Sequence, residues 1–205
     1  MFITKKSIIG IIKLAGIIST ESRLGSRGSL NLNDLSDSIT KAFSFKNMKA
    51  IALLVNSPGG SPVQSALIAN RIRDLAKEKE IPVYCFIEDL AASGGYWLSC
   101  AGDKIYAMES SIIGSIGVIT SGFGAVEAIK KIGIERRVYS QGKNKGLMDP
   151  FLPEKKDDIK QILTIQKDLH SQFIAWVKKE EVKDLRQMMK CYLMRESGVV
   201  LKLKS

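Results

Sequence analysis

Apolar and polar positions form two kinds of pattern along the chain, and these two kinds alternate. The segment "AIALLV" (50–55) is a continuous apolar run, which predicts a strand covered on both faces, and "PVYCFI" (82–87) predicts another strand. Between them, Ser61 is a predicted helix N-cap and Pro62 a predicted first helical residue. Apolar side chains then recur at helical spacing, at Val63, Leu67, Ile68, Ile72 and Leu75. Strands that alternate with helices in this way predict an α/β fold with a largely parallel sheet.

The remaining segments extend the alternation. At the N-terminus, "KKSIIGIIKLAGII" (5–18) resembles a signal sequence, but Lys13 interrupts its apolar run, which is shorter than the ~20 apolar residues of a membrane span. It therefore predicts an opening buried strand. Further strands are predicted at 104–108, 115–119 and 135–140, a short buried helix at 94–101, a helix at 124–133 ended by Gly133, and a long amphipathic helix from Pro153 to about Glu181. The apolar stripe of that long helix is typical of core or subunit packing.

Composition and charge narrow the class of protein. The chain has 205 residues, 45% of them hydrophobic, which predicts one domain over residues 1–190, and residues 191–205 read as a basic tail. The net charge of +10 is spread over helix faces without interleaved aromatic residues, so we expect no nucleic-acid partner. The three cysteines have no CxxC spacing, which indicates neither a disulfide framework nor a zinc site and favours a reducing compartment. No metal and no cofactor are predicted, because no ligand cluster or phosphate loop is visible in the sequence.

Glycine turns follow two of the predicted strands. One turn is "NSPGG" (56–60) and the other is "AASGG" (91–95), and most single glycine turns are structural. The carboxyl ends of parallel strands meet at one edge of a sheet, where ligands bind, so the two turns together offer a hydroxyl and two sets of backbone N–H donors. We expect Ser93 to be a nucleophile, with the amides of Gly60 and Gly94 aimed at the oxyanion of an acyl-transfer reaction.

A serine nucleophile needs a base. His170, the one histidine of the chain, lies in the middle of the predicted long helix, where a helix-face role is the more ordinary interpretation, so a Ser-His-Asp triad is not expected. A lysine can replace it if desolvation lowers its pKa from about 10.4 toward neutrality. Lys143 and Lys145, in "SQGKNKGLMDPF", follow a strand and precede a turn, and composition does not choose between them.

Three stretches in this order closely resemble the bacterial signal peptide peptidase A family of serine peptidases: "AIALLVNSPGGSPVQSALIANRIR", "ASGGYWLSCAGDKIYAMESSIIGSIGVI" and "YSQGKNKGLMDPFLP". The resemblance implies a Clp-protease or crotonase-like ββα superhelix with a largely parallel sheet, in which Ser93 and Lys145 form a serine-lysine dyad. It further implies that Ser115 orients the lysine amine and that Gly59 and Gly60 belong to the oxyanion loop.

The resemblance also implies partners. Family members form rings in which the serine and the lysine of one site come from different repeats or subunits, so a homo-oligomer with a shared site is expected. Apolar peptides such as remnant signal peptides are the expected substrates. We expect a cytoplasmic location, with peripheral association with the inner membrane as an alternative that the basic charge weakly favours.

Two other functions are compatible with the sequence. The C-terminal "MMKCYLMRESGVVLKLKS" does not match the segment with which family members commonly end, so a catalytically silent peptide-binding or assembly subunit is one alternative. An acyl-CoA enzyme of the crotonase type is the other, but it needs an acidic base, for which Glu88 and Glu109 are the nearest candidates.

Overall fold

The computed structural model describes residues 7–20, 29–142, 145–181 and 200–201. The described residues up to 117 and from 172 onward form one compact unit, and those between 118 and 171 form the other. The predicted tail at 191–205 lies outside the described residues except for Val200 and Leu201.

The first unit is built on a seven-stranded sheet. Its strands are β1 (Ile8–Ile18), β2 (Ser29–Leu30), β3 (Met48–Gly60), β4 (Val83–Ala92), β5 (Lys104–Ala107), β6 (Ile112–Gly114) and β7 (Val200–Leu201). The order across the sheet is β2-β1-β3-β4-β6-β7, with β5 also pairing with β4. All pairs are parallel except β6 with β7, which confirms the predicted α/β class and the largely parallel sheet.

Helices α1 (Leu32–Ser44), α2 (Pro62–Lys79) and α3 (Gly94–Ser99) belong to the same unit. Helix α2 begins as predicted, because the Ser61 side chain accepts a hydrogen bond from Gln64 N and Pro62 follows it. Of its predicted apolar positions, Ile68, Ile72 and Leu75 are buried, whereas Val63 and Leu67 are exposed. Helix α3 is buried along its whole length and packs against β3 and β4.

The sheet is covered less completely than predicted. In β1 the buried side chains alternate with exposed ones, and Ile9 and Ile11 are 63% and 65% exposed. In β3, Ile51, Leu53 and Val55 are buried, while Ala52 and Leu54 between them are half-buried. Strand β3 is therefore covered incompletely on the face that carries Ala52 and Leu54, contrary to the prediction of cover on both faces, and the predicted buried strand β1 is buried on one face only. A continuous apolar run does not show which of its side chains the helices cover.

The second unit contains α4 (Val126–Lys131) and the first part of α5 (Lys156–Glu181), whose last residues belong to the first unit. Helix α4 confirms the predicted helix, and Gly133 after it has φ 74°. The strands predicted at 115–119 and 135–140 do not form, since β6 ends at Gly114 and residues 135–140 have no regular structure. Within residues 118–142 and 145–171, none is buried.

Candidate active site

Ser93 occupies a strained turn between β4 and α3. Its φ of 51° and ψ of −120° are those of a turn position that usually requires glycine, which costs a serine about 1–3 kcal/mol. A hydrogen bond to the last residue of β6 fixes the turn, because Ser93 N donates to Gly114 O over 2.7 Å. A strand-to-helix turn of this kind presents the hydroxyl of a nucleophilic serine at the edge of the sheet. The half-buried side chain of Ser93 is therefore placed as a nucleophile requires.

The glycine loop at the end of β3 lies directly against this turn. Gly59 has φ 95°, and a Cβ on it would lie 2.7 Å from Gly94 N and 2.9 Å from Ser93 Cβ. A Cβ on Gly95 would collide with the carbonyl oxygen of Ser57. Both approaches are closer than a side chain permits, so the glycines of "NSPGG" and "AASGG" are required for the two turns to meet.

The backbone amides of the residues before and after Gly60 both donate hydrogen bonds within the protein, so the Gly60 amide is the candidate oxyanion donor of the loop. Gly59 N donates to Ser57 Oγ over 3.1 Å, and Ser61 N donates to Ile18 O over 2.8 Å. The amides on either side of Gly60 are thus engaged within the protein. Gly94 is the first residue of α3, where a backbone N–H has no acceptor within the helix. The assignment of Gly60 and Gly94 as oxyanion donors remains a prediction that this geometry allows.

Ser115 follows β6 and lies beside the Ser93 turn. The register pairs Ala92 with Gly114, so the two serines occupy the next positions on neighbouring parallel strands. Ser115 is exposed and, like Ser93, has a positive φ, here 56°. The structure thus brings together Gly59, Gly94, Ser93 and Ser115, four of the residues that the sequence singled out.

Lys145 lies in the second unit, and its side chain is exposed. Its amide donates to Gly142 O over 3.4 Å. Farther along the same loop, the carboxylate of Asp149 accepts hydrogen bonds from Phe151 N (3.0 Å) and from the guanidinium of Arg136 (3.0 and 3.1 Å). These bonds, the one from Phe151 first, hold the pKa of Asp149 below its usual value. Lys143, the other candidate base, lies outside the described residues.

Trp176 and Ser57, which hold the elements on either side of Ser93, were not predicted to do so. Trp97 of α3 stacks on Phe173 of α5 with ring centroids 4.7 Å apart, and Trp176 Nε1 donates to Trp97 O over 3.0 Å. Ser57 binds the loop amide of Gly59. The only sequence signal for Trp176 was its place in the apolar stripe of the long helix, and the only signal for Ser57 was its place in "NSPGG".

The acidic candidates for an acyl-CoA enzyme receive no support from their positions. Glu88 lies on β4, where the pairing with β3 shifts register before Ala91. Its side chain is exposed, and its main-chain carbonyl accepts a hydrogen bond from Ser111 Oγ. Glu109 is also exposed, in the turn between β5 and β6.

Comparison with known proteins identifies the family. Residues 75–191 match the family model described as peptidase family S49, a stretch that contains Ser93, Ser115 and Lys145. The chain belongs to peptidase family S49. This confirms the resemblance to the signal peptide peptidase A family and, with it, the Clp-protease or crotonase-like fold class.

Several curated proteins are similar to this S49 chain. It is 35% identical to a putative signal peptide peptidase SppA of Enterococcus faecium over 177 residues, which are 86% of this chain and 50% of that protein. It is 36% identical to a putative protease of Methanocaldococcus jannaschii over 131 residues, 64% of this chain and 42% of that protein. A Na(+)/H(+) antiporter NhaA of Brucella melitensis is 49% identical over 170 residues, 83% of this chain but 23% of the antiporter.

The S49 chain therefore spans half or less of the length of these relatives. Because less than a quarter of the Brucella protein is matched, its antiporter name says nothing about the residues that the two share. Among the helices of the described residues, none has the length and apolar character needed to cross a membrane.

Proposed function

We propose that this S49 chain is a serine endopeptidase that cleaves apolar peptides, with Ser93 as nucleophile and Lys145 as general base. The observation that carries the proposal is the strained backbone of Ser93 at the tip of β4, in contact with the glycine loop of β3. Strain of this kind persists only where the surrounding structure enforces it, and it is concentrated at functional sites.

The first half of the reaction forms an acyl-enzyme. Ser93 Oγ attacks the carbonyl carbon of the scissile peptide bond while its proton passes to the neutral amine of Lys145. The carbonyl oxygen becomes an oxyanion, which the amides of Gly60 and Gly94 stabilise. Collapse of this intermediate breaks the C–N bond, and the leaving amine takes the proton from the Lys145 ammonium.

The second half regenerates the serine. Water attacks the ester carbon and gives its proton to Lys145, and the oxyanion again lies against the two amides. When the ester bond breaks, Ser93 Oγ recovers the proton and the carboxylate product leaves. Ser115 would hold the lysine amine in the orientation that both proton transfers require.

A second copy of the chain is part of the proposal. None of the described residues of the second unit is buried, and Lys145 is among the exposed ones. The large apolar side chains left exposed there include Ile119, Phe123, Ile132, Ile134, Tyr139 and Leu163. Exposure of so many apolar side chains marks an interaction surface. Assembly that covers them would also desolvate Lys145 and favour its neutral form, which a general base must have.

The substrate class rests on the relatives and on chemistry. The Enterococcus faecium protein is named a putative signal peptide peptidase, and remnant signal peptides are apolar. The proposed location is the cytoplasm, and the net charge of +10 supports association with the anionic surface of the inner membrane, since basic proteins are attracted to that surface.

The test is hydrolysis of a fluorogenic apolar peptide by the purified chain. Ser93→Ala and Lys145→Ala should each lower kcat by ~10³-fold or more, since the nucleophile and its base act as one unit. Lys143→Ala is the matched control, because it removes the neighbouring lysine of the same loop, and it should retain activity. A folded, assembled parent that cleaves nothing would instead favour the silent peptide-binding subunit.

A further inference from the structure

Ser57 is a buried hydroxyl that the proposed reaction does not use. It lies near the end of β3, as the second residue of "NSPGG", and its side chain is fully buried. A buried hydroxyl is retained at a cost unless its hydrogen bonds are made, so its partners indicate what it does.

The Ser57 hydroxyl joins two backbone segments. It donates to Gly16 O over 2.6 Å, and it accepts from Gly59 N over 3.1 Å. Gly16 lies where the pairing of β1 with β3 shifts register, between Ala15 and Ile17. One side chain thus ties the irregular end of β1 to the first glycine of the loop that touches Ser93.

The two glycines are also paired with β1, since the register matches Gly59 with Ile17 and Gly60 with Ile18. Gly59 and Gly60 have φ of 95° and 143°, and two adjacent glycines resist rotation less than any other pair of residues. On the far side of Gly60, Ser61 N is held by Ile18 O. The Gly60 amide is therefore fixed from both sides, and Ser57 supplies the anchor on the β3 side.

We propose that Ser57 is a positioning residue for the oxyanion site: its hydroxyl fixes Gly59 so that the Gly60 amide faces the carbonyl oxygen of the bound peptide. This inference rests on the proposed function for its catalytic consequence. Preorganised donors stabilise the transition state more than the ground state, so loss of the anchor lowers kcat and leaves KM nearly unchanged.

Ser57→Ala tests the proposal, and Ser111→Ala is its matched control. Ser111 is also buried and makes the same pair of bonds, donating to Glu88 O over 2.6 Å and accepting from Met108 N over 3.1 Å, but it lies outside the glycine loop. With a fluorogenic apolar peptide, we expect Ser57→Ala to lower kcat about 10- to 100-fold, as misplacement of a catalytic group does. Ser111→Ala should change kcat less than about twofold.

A leucine-peptide aldehyde gives a second measurement. Ser93 Oγ adds to its carbonyl carbon while the hydroxyl proton passes to the lysine amine, and the carbonyl oxygen becomes an oxyanion in the same site. Ser57→Ala should weaken binding of the aldehyde by about the factor by which it lowers kcat, and binding of the matching alcohol should not change. Equal kcat for the two alanine variants, or a raised KM with kcat unchanged, would overturn the proposal.

A measurement that needs no activity separates this proposal from the proposed function. Amide hydrogen exchange at Gly59 should accelerate in Ser57→Ala and stay at the parent rate in Ser111→Ala. If the parent chain cleaves no peptide, the proposed function fails while this exchange test still holds. An unchanged exchange rate at Gly59 shows that Ser57 does not anchor the loop. Should Ser57→Ala not fold, Ser57→Cys, which keeps a weaker donor and acceptor, takes its place in both measurements.

Discussion

Trp176 caps helix α3, which begins directly after Ser93, by donating its indole N–H to Trp97 O over 3.0 Å. If α3 continued as an α-helix, the Trp97 carbonyl would accept a hydrogen bond from Ala101 N. In the structure, Ala101 N instead donates to Leu98 O. The last carbonyls of a helix need partners from elsewhere in the structure. Helix α5 thus supplies, by one buried side chain, a bond that α3 cannot make itself.

A pair of matched substitutions measures this bond. Trp97 Nε1 is buried and has no hydrogen-bond partner among the described residues, whereas Trp176 Nε1 has one. Trp176→Phe should therefore lower the free energy of unfolding by about 1–2 kcal/mol more than Trp97→Phe, because only the first change strands a buried carbonyl. Urea unfolding of the two variants checks this, and equal losses of stability would contradict it.

Local sequence chemistry was sufficient to predict most of the elements. The N-cap at Ser61, the helix after it and the turn at Ser93 each depend on residues a few positions apart, and the structure confirms them. The strand predicted at 135–140 was wrong, since its β-branched and aromatic residues, Val138 and Tyr139, remain exposed and pair with nothing described. Strand propensity produces a strand only where a neighbouring strand is available.

The site, too, was predictable only in part, because some of its contacts join residues that are far apart in the sequence. Ser93 and the glycines could be singled out because each lies in a short local motif, "AASGG" or "NSPGG". Lys145 was preferred to Lys143 only because of the family resemblance. Ser57 did not stand out, because its acceptor Gly16 is 41 positions away in the chain and the bond depends on the register of β1 with β3. Long-range hydrogen bonds of this kind leave no local pattern in a sequence.

The contact between the two glycine turns predicts a severe effect of Gly59→Ala. Its Cβ would lie 2.7 Å from both Ala92 O and Gly94 N, at a φ of 95° that alanine rarely adopts. We expect a loss of about 2–4 kcal/mol of stability and of all measurable peptidase activity, since the loop can accept the methyl group only by moving away from Ser93.

Gly117→Ala is the control for this substitution. Among the described residues other than its two chain neighbours, no heavy atom lies within 4 Å of the position of its Cβ, so its unfolding midpoint should match that of the parent. Thermal unfolding and peptide hydrolysis measure both variants. A Gly59→Ala chain with the stability and kcat of the parent would show that the two turns do not touch.

The buried thiol of Cys85 predicts a loss of stability at high pH. Burial raises the pKa of this thiol from 9.0 to about 12, and a hydrogen bond with Ser99 opposes the rise only in part. A raised pKa means that the folded state holds the proton more tightly than the unfolded state. The contribution of the protonated Cys85 thiol to the free energy of unfolding is therefore complete below pH 9. It disappears as the pH rises toward about 12.

The check compares the parent with Cys85→Ala by urea unfolding across this range. The difference in unfolding free energy between the two chains should shrink as the pH rises from 9 to 12. A difference that stays constant over the range would contradict the prediction. Cys100 remains in both chains, so its titration does not affect the comparison.

The proposed sharing of one site between two copies of the chain predicts complementation between inactive variants. Ser93→Ala keeps Lys145, and Lys145→Ala keeps Ser93, so a mixed assembly contains contacts at which one copy lends the base and the other the nucleophile. Equal amounts of the two variants, unfolded together in urea and refolded, should then recover about a quarter of the parent activity, because a random mixture pairs intact halves at one contact in four. Each variant refolded alone should stay inactive.

If the serine and the lysine of one site came from the same copy, no random mixture would contain an intact site. A mixture that stays inactive after demonstrated co-assembly would therefore exclude the shared arrangement.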